Sequence, residues 1–357
     1  MDTITPQLYS GALRPYPGVI AEWSTAKQAR ARSILADVDA AFPGMVGKVD
    51  PSADVEDFWE DAARISAAWR ATGGRLVLTE AGTSWCTWSN DKMLRRIGPV
   101  ARSEEGGDHG TDDLAGHALV ARHGGRGMFI GGVATDDPTR DVAIWLAARH
   151  RDHGVRRGVV KAVARKNGIW SIELDRDPEV VTRRLADAMD WTFVRLESLS
   201  GALLAQDELE LTWELRLFVV DGRVVSAAGC IEEFTPLDHD RAIGLIDTRV
   251  RRIRGHLEQG LPSPVEDRPD IVHRLVSFGR RVALEHGGTV CIDVAIDAAT
   301  DEPVVIELNH LPNSGLYASD PWAVTAAVVR ARDRGYAPIR RPEDVLRSAP
   351  KTEGTPA

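Results

Sequence analysis

Cys291-Ile292-Asp293-Val294-Ala295-Ile296, a short polar turn, then Val304-Val305-Ile306-Glu307-Leu308-Asn309 make up the most informative stretch of this chain. Two apolar runs flank a turn containing Asp301, Glu302 and Pro303, the pattern of a β-hairpin. Side chains alternate along a strand, so Glu307 and Asn309 share a face, and Asp293 on the partner strand can reach it. Three oxygen donors converging at the end of a buried hairpin suit a hard divalent cation such as Mg²⁺, which takes one or two carboxylates and completes its shell with water and phosphate oxygens. An isolated Glu-x-Asn on a strand is ordinarily a solvated edge. Here Val304, Val305, Ile306 and Leu308 frame the pair with apolar side chains, and polar groups in such a frame need a partner.

The 357 residues suffice for two or three packed units, and 43% hydrophobic with 27% charged residues is the balance of a soluble globular protein. Formal net charge is 44 − 53 = −9, which argues against general binding to nucleic acid or to an anionic membrane. An anionic nucleotide would need a local cluster of Lys, Arg and Mg²⁺. Cys86, Cys230 and Cys291 lie far apart without CxxC or CxxH spacing, which predicts reduced thiols rather than a disulfide frame or a zinc site. The N-terminus lacks a basic start and an apolar stretch, and no apolar run reaches about 18 residues. A cytoplasmic protein is expected.

Periodicity predicts helices over Ser24–Ala41 and Asp54–Ala71, the latter with Val55, Phe58, Trp59, Ala62, Ile65 and Trp69 near i, i+3, i+4 spacing. Arg75–Thr79 reads as a strand and Asn90–Ile97 as a short helix. Residues 103–132, rich in Gly, His and charge, read as a loop or insertion. His109, His117 and His123 do not have ligand spacing, and Gly124-Gly125-Arg126-Gly127 lacks the strand-turn-helix context of a phosphate cradle. A helix over Thr139–His150 precedes strands Gly158–Ala164 and Ile169–Leu174, joined through Asn167-Gly168. Helix Pro178–Asp190 follows, then strands Leu203–Gln206, Leu211–Val220 and Arg223–Gly229, the last two joined by Asp221-Gly222. Two long helices, His239–Gln259 and Pro269–His286, lead into the hairpin, and Asp320–Arg332 closes the fold. The pattern is α+β (mixed α/β). Neither a Walker A motif nor a GxGxxG after a strand is present, which disfavours P-loop and dinucleotide folds.

Four separated elements then line up in order: Asn90-Asp91-Lys92-Met93-Leu94; Gly158-Val159-Val160-Lys161-Ala162; Leu203-Leu204-Ala205-Gln206-Asp207 with Trp213-Glu214-Leu215-Arg216-Leu217; and the Asp293/Glu307-Leu308-Asn309 hairpin followed by Asn313-Ser314-Gly315-Leu316-Tyr317. Together they resemble the ATP-grasp superfamily, most like its clade named for one Arg and two Lys, over about residues 85–325. The resemblance implies two α+β subdomains gripping ATP, preceded by a small Rossmann-like subdomain. Residues 1–85 would form that N-terminal part, 86–205 and 206–340 the two ATP-grasp lobes, and 341–357 a polar tail.

The resemblance places Lys92 and Lys161 on the nucleotide phosphates and Gln206-Asp207 at the hinge that meets adenine. Glu208, Glu210 and Glu214 compete for the ribose. Asp293, Glu307 and Asn309 would hold Mg²⁺ or Mn²⁺. Lys161 ends an apolar strand run, so it either snorkels or meets an anion. Glu214 and Arg216 share one face of their strand, opposite Leu215, Leu217 and Val219. Arg216 is thus either half of a surface ion pair or a guanidinium that stabilises charge on a γ-phosphate or acyl-phosphate. Two departures from the family stand out. The glycine-rich loop after the second lysine is replaced by Ala162-Val163-Ala164-Arg165-Lys166-Asn167-Gly168, and the hinge has Gln-Asp where Gln-Glu is more usual.

The activity implied is ATP- and Mg²⁺-dependent ligation of a carboxylate to an amine, or another nucleophile, through an acyl-phosphate. The partners would be small-molecule or peptide carboxylates and amines, with a homodimer left open. Asn313–Tyr317 would shape the acceptor pocket, and His310 is a weak candidate for a base. Trp59 and Trp69 read as core; Trp85 and Trp88 are open. A phosphotransferase that stops at phosphoryl transfer and a non-catalytic nucleotide-binding protein are the alternatives.

Overall fold

The computed structural model describes residues 24–41, 55–71, 73, 114–132, 137–162, 169–190, 203–239, 246–253, 263–309, 311 and 314–333. Two helices come first, α1 (Thr25–Ala41) and α2 (Val55–Ala71). Next come α3 (Leu114–His123), β1 (Met128–Gly131), α4 (Pro138–His153), β2 (Arg157–Ala162), β3 (Ile169–Glu173), α5 (Pro178–Asp190) and β4 (Leu203–Asp207), which belong to one compact unit. The second unit unites α1 and α2 with β5 (Leu211–Val220), β6 (Arg223–Gly229), a 3₁₀ turn (Pro236–Asp238), β7 (Arg249–Arg251) and β8 (Val265–Asp267). It also contains α6 (Pro269–His286), β9 (Val290–Asp297), β10 (Glu302–Asn309) and α7 (Pro321–Asp333). The architecture is mixed α/β with antiparallel sheets.

In the first unit the strand order is β1-β4-β2-β3, each pair antiparallel. Helices α4 and α5 pack on it, and Val142, Leu146, Val160, Trp170, Leu185 and Leu203 form the buried centre. α4 is delimited by local chemistry. The Asp137 side chain accepts the Arg140 N–H at its start, Pro138 occupies the first turn, and Gly154 ends it at φ 70°. The stretch expected to be a loop or insertion corrects in part to a helix, because α3 occupies Leu114–His123. Its Leu119 and Val120 are buried, an apolar pair that the surrounding Gly and His obscure.

The second unit is built on the sheet β10-β9-β5-β6. The Asp221-Gly222 turn has φ 50° and 69°, the left-handed pair that a two-residue hairpin turn requires. β9 and β10 are adjacent and joined by four residues, so they run antiparallel. Alternation along β5 sends Leu215, Leu217 and Val219 to one face, all fully buried, where α6 packs. Phe218 and Val220 go to the other, in a cluster with Cys291, Leu311, Leu316 and Val324 beneath α7. α2 packs along α7 and α1 along α2. Asp37 of α1 accepts Ser66 Oγ and Arg70 Nε of α2, each at 2.5 Å.

The long helix expected over His239–Gln259 does not form among the described residues. Arg249–Arg251 is a strand, pairing antiparallel with Val265–Asp267. Ile246 and Val250 mimic helical spacing, but alternation puts Val250 inside and the flanking arginines outward, where Asp247 binds Arg249 and Glu233 binds Arg251. No described helix is long and apolar enough to cross a membrane.

Gly279 marks the closest approach of α6 to the sheet. A Cβ there would lie 1.9 Å from Leu217 Cδ1. Alanine favours a helix interior over glycine by about 1 kcal/mol, but overpacking typically costs about 1–3 kcal/mol. Gly279→Ala is therefore expected to lower stability by about 1 kcal/mol or more in urea unfolding, while raising it in a Leu217→Ala background, where the space is open.

Candidate functional site

The polar faces of β5, β9 and β10 meet in the second unit. Glu214 and Arg216 lie on the β5 face opposite the α6 contact, and Arg216 Nε and Nη2 donate to the two Asp293 oxygens at 2.8 and 2.7 Å. Asn309 Nδ2 donates to Asp293 Oδ2 at 2.8 Å and to Glu307 Oε1 at 2.9 Å. Asp293 is 1% exposed and Arg216 8%. The sequence-predicted residues Glu214, Arg216, Asp293, Glu307 and Asn309 are thus brought together in one cluster.

Its electrostatics are unbalanced. Burial, then the charge of Asp293, push the Glu214 carboxyl up to about 7; Glu307 adds to the rise and Arg216 opposes it. Burial works against the charge on Arg216, but the hydrogen bonds and charge of Asp293 prevail and raise its pKa. Three carboxylates face one guanidinium, and the donors are mostly hard oxygens. That set fits a divalent cation of the Mg²⁺ or Mn²⁺ kind, which would offset the excess negative charge.

Cys230 is the member that sequence reasoning did not place here. The β5–β6 register pairs Leu215 with Gly229, so Cys230 follows directly across from Glu214. Among the described residues, ligand atoms of Glu214, Cys230 and Asp293 lie within 4.8 Å of one another. Burial and the adjoining Glu214 and Asp293 raise the Cys230 thiol well above its ordinary range, so the thiol is protonated. The segment after β10, expected to shape the acceptor pocket, meets this cluster through Gly315 and Tyr317. Tyr317 lies over Arg216, with the guanidinium carbon 5.2 Å from the ring centroid, and Arg216 Nη1 contacts the Gly315 carbonyl at 3.4 Å.

The remaining predicted residues lie in the other unit or outside the described residues. Lys161 sits on β2, opposite Ile169 of β3 and Leu204 of β4. Gln206 accepts Arg126 Nε at 2.9 Å. Asp207 is bound by Arg149 through two N–H groups at 3.0 and 2.6 Å and by the Gly127 amide at 2.8 Å. This pairing ties β4 to α4 and to the glycine-rich turn. Glu208 is held by Arg157 at 3.0 Å and by Ser171 Oγ. Lys92, His310, Asn313, Cys86, Trp85 and Trp88 lie outside the described residues. Trp59 is a core residue at 1% exposure, while Trp69 is half-buried.

Neither a family model nor a curated protein matches this chain. Among solved structures, it is similar to a D-alanine–D-alanine ligase from Bacillus anthracis complexed with ATP, at 14% identity and TM-score 0.36, covering 62% of this chain and 67% of that one. It is also similar to the D-cycloserine synthetase DcsG, at 14% identity and TM-score 0.44, covering 78% and 96%. A third match is the ATP-grasp ligase PsnB complexed with a minimal precursor, at 17% identity and TM-score 0.34, covering 60% of this chain and 58% of that one.

Proposed function

We propose that this chain is an ATP- and Mg²⁺-dependent ligase of the ATP-grasp type, joining a carboxylate to an amine or another nucleophile through an acyl-phosphate. The observation that carries this reading is the partly buried cluster on one sheet face, in which the buried Arg216 and Asp293 pair while Asn309 bridges Asp293 and Glu307. Carboxylates are poor electrophiles, and γ-phosphoryl transfer to the carboxylate oxygen creates a leaving group that the amine displaces as phosphate. Asp293, Glu307 and Asn309 would hold the cation, which when bound neutralises charge on the phosphates. Arg216, fixed by Asp293 on one side, keeps Nη1 directed toward the segment after β10, where it can meet negative charge. Asn309 fixes the relative orientation of the two acidic side chains. Lys161 and Lys92 are proposed for the phosphates and the Gln206-Asp207 segment for the adenine. The Asp207 carboxylate is engaged by Arg149 and its N–H donates to the Gly127 carbonyl at 3.1 Å, so neither group is open to the adenine in this structure. Small-molecule or peptide substrates are proposed.

The test is thermal stability with ATP·Mg²⁺ and with ATP plus EDTA, for the wild type and Glu307→Ala. A ligand at about 100 times its Kd stabilises by about 2.7 kcal/mol, so a clear rise in Tm is expected. It should require the metal and disappear in Glu307→Ala. No rise in the wild type would overturn the reading. ADP appearing together with a phosphorylated acceptor and without a joined product, across carboxylate–amine mixtures, would favour the phosphotransferase.

A further inference from the structure

The contacts around Tyr317 extend the site to a helix that precedes it by some 250 residues. Tyr317 has φ 46°, a left-handed conformation that bulky side chains adopt only when their surroundings impose it. The constraint comes from α2. Glu60 Oε1 accepts the backbone N–H groups of both Leu316 and Tyr317, the latter at 3.0 Å. Arg64, one helical turn on, donates to the Ser314 carbonyl at 2.7 Å and to Glu60 at 3.2 Å. Glu60 is 5% exposed and Arg64 9%. Between them lies Gly315, whose Cβ position is 3.5 Å from Glu60 Oε1, 3.5 Å from Tyr317 Cζ and 3.6 Å from Arg216 Nη1. Four consecutive residues, 314 to 317, are therefore gripped by Arg64, Arg216 and Glu60.

We infer that Glu60 and Arg64 of α2 are positioning residues for the site: by clamping residues 314–317 they hold the Tyr317 ring over Arg216 and so keep the guanidinium directed at Asp293. Removing the Glu60 carboxylate releases two N–H groups together with the left-handed turn. The ring then leaves the guanidinium face, and Arg216 loses its cover while keeping its covalent surroundings. A brace with no part in the site would affect global stability alone. The functional part of this inference rests on the proposed nucleotide reading; the geometric part does not.

The experiment follows the Arg216 Nε–H resonance in ¹⁵N-labelled full-length protein, assigned by its absence in Arg216→Lys. Tyr317→Leu removes the ring current and defines the displaced position. Glu60→Ala is expected to move the resonance to that same position, and Glu60→Ala/Tyr317→Leu to move it no further. If Glu60→Ala unfolds the protein, Glu60→Gln, which keeps the side-chain length and removes the charge, is expected to move it part of the way. A resonance unmoved in a folded Glu60 variant overturns the inference. In parallel, the Kd for ATP·Mg²⁺ at a temperature where each variant is fully folded is expected to rise about three- to tenfold in Glu60→Gln. An unchanged Kd with only a lowered Tm would reduce the pair to a structural brace. Absence of ATP binding by the wild type would count against the proposed function and leave the resonance test intact.

Discussion

Arg216→Met is expected to lower the unfolding free energy by about 3–5 kcal/mol, the range for a buried ion pair that loses one partner. The cost arises less from the lost attraction than from what remains. Asp293, 1% exposed, would be left beside Glu214 and Glu307 without its guanidinium partner, with the Asn309 amide still donating to it. Arg216→Met/Asp293→Leu, which removes both charges and fills the space, is expected to recover most of that loss, because well-packed apolar replacements of buried pairs are often neutral. Both variants should lose metal-dependent ATP stabilisation. Urea unfolding of the two proteins tests the first part. If the double variant were no more stable than Arg216→Met, the pair would be holding the fold through packing rather than through charge.

That contrast separates stability from function at this sheet face. An apolar pair of similar volume is expected to hold the strands together as well. The cluster around the charged pair is electrostatically expensive, since Glu214 is raised to about 7 by burial and its acidic neighbours. Cost of this kind is concentrated at functional sites, where it prepares a place for a charge that arrives later.

Much of this was legible in the chain. Glu307 and Asn309 two apart on an apolar strand, with Asp293 on the preceding one, required only strand alternation to converge. The same rule placed Glu214 and Arg216 opposite Leu215 and Leu217. Cys230 was not legible for a specific reason. Counting back from the Asp221-Gly222 turn pairs Val220 with Arg223 and Val219 with Val224, which would set Trp213, not Glu214, opposite Cys230. The register shift between Phe218 and Val219 moves every later pair by one residue. A β-bulge of this kind leaves no motif in the sequence. Glu60 and Arg64 escaped for another reason. An i, i+4 Glu–Arg pair on a helix reads as a solvated pair, and only the buried neighbours Trp59, Ala62, Ala63 and Ala67 hint otherwise. The strand at Arg249–Arg251 was missed because Ile246 and Val250 fit a helical period as well as a strand's.

The stability of the metal-free protein is expected to fall as pH rises from about 4.5 to about 7. The Glu214 carboxyl has its unfolded value near 4.5 and is raised to about 7 in the folded chain. Between those limits the unfolded state has released its proton while the folded state keeps it. The folded state therefore binds more protons, and stability must decline with pH. Below pH 4.5 both states are protonated and the contribution is complete; above pH 7 both are ionised and it is gone. A shift of that size corresponds to about 3 kcal/mol at most, since each pK unit is about 1.4 kcal/mol. Glu214→Gln removes the titrating group and should flatten the curve over this window, which urea unfolding in EDTA at successive pH values measures directly. A divalent cation supplies at pH 8 the charge that the proton supplies at pH 5. Mg²⁺ should therefore restore more stability at the higher pH than at the lower one, and only in proteins that retain Asp293 and Glu307. Equal stabilisation by Mg²⁺ at both values would mean that the cation binds away from this cluster and that the carboxylates are balanced by some other group.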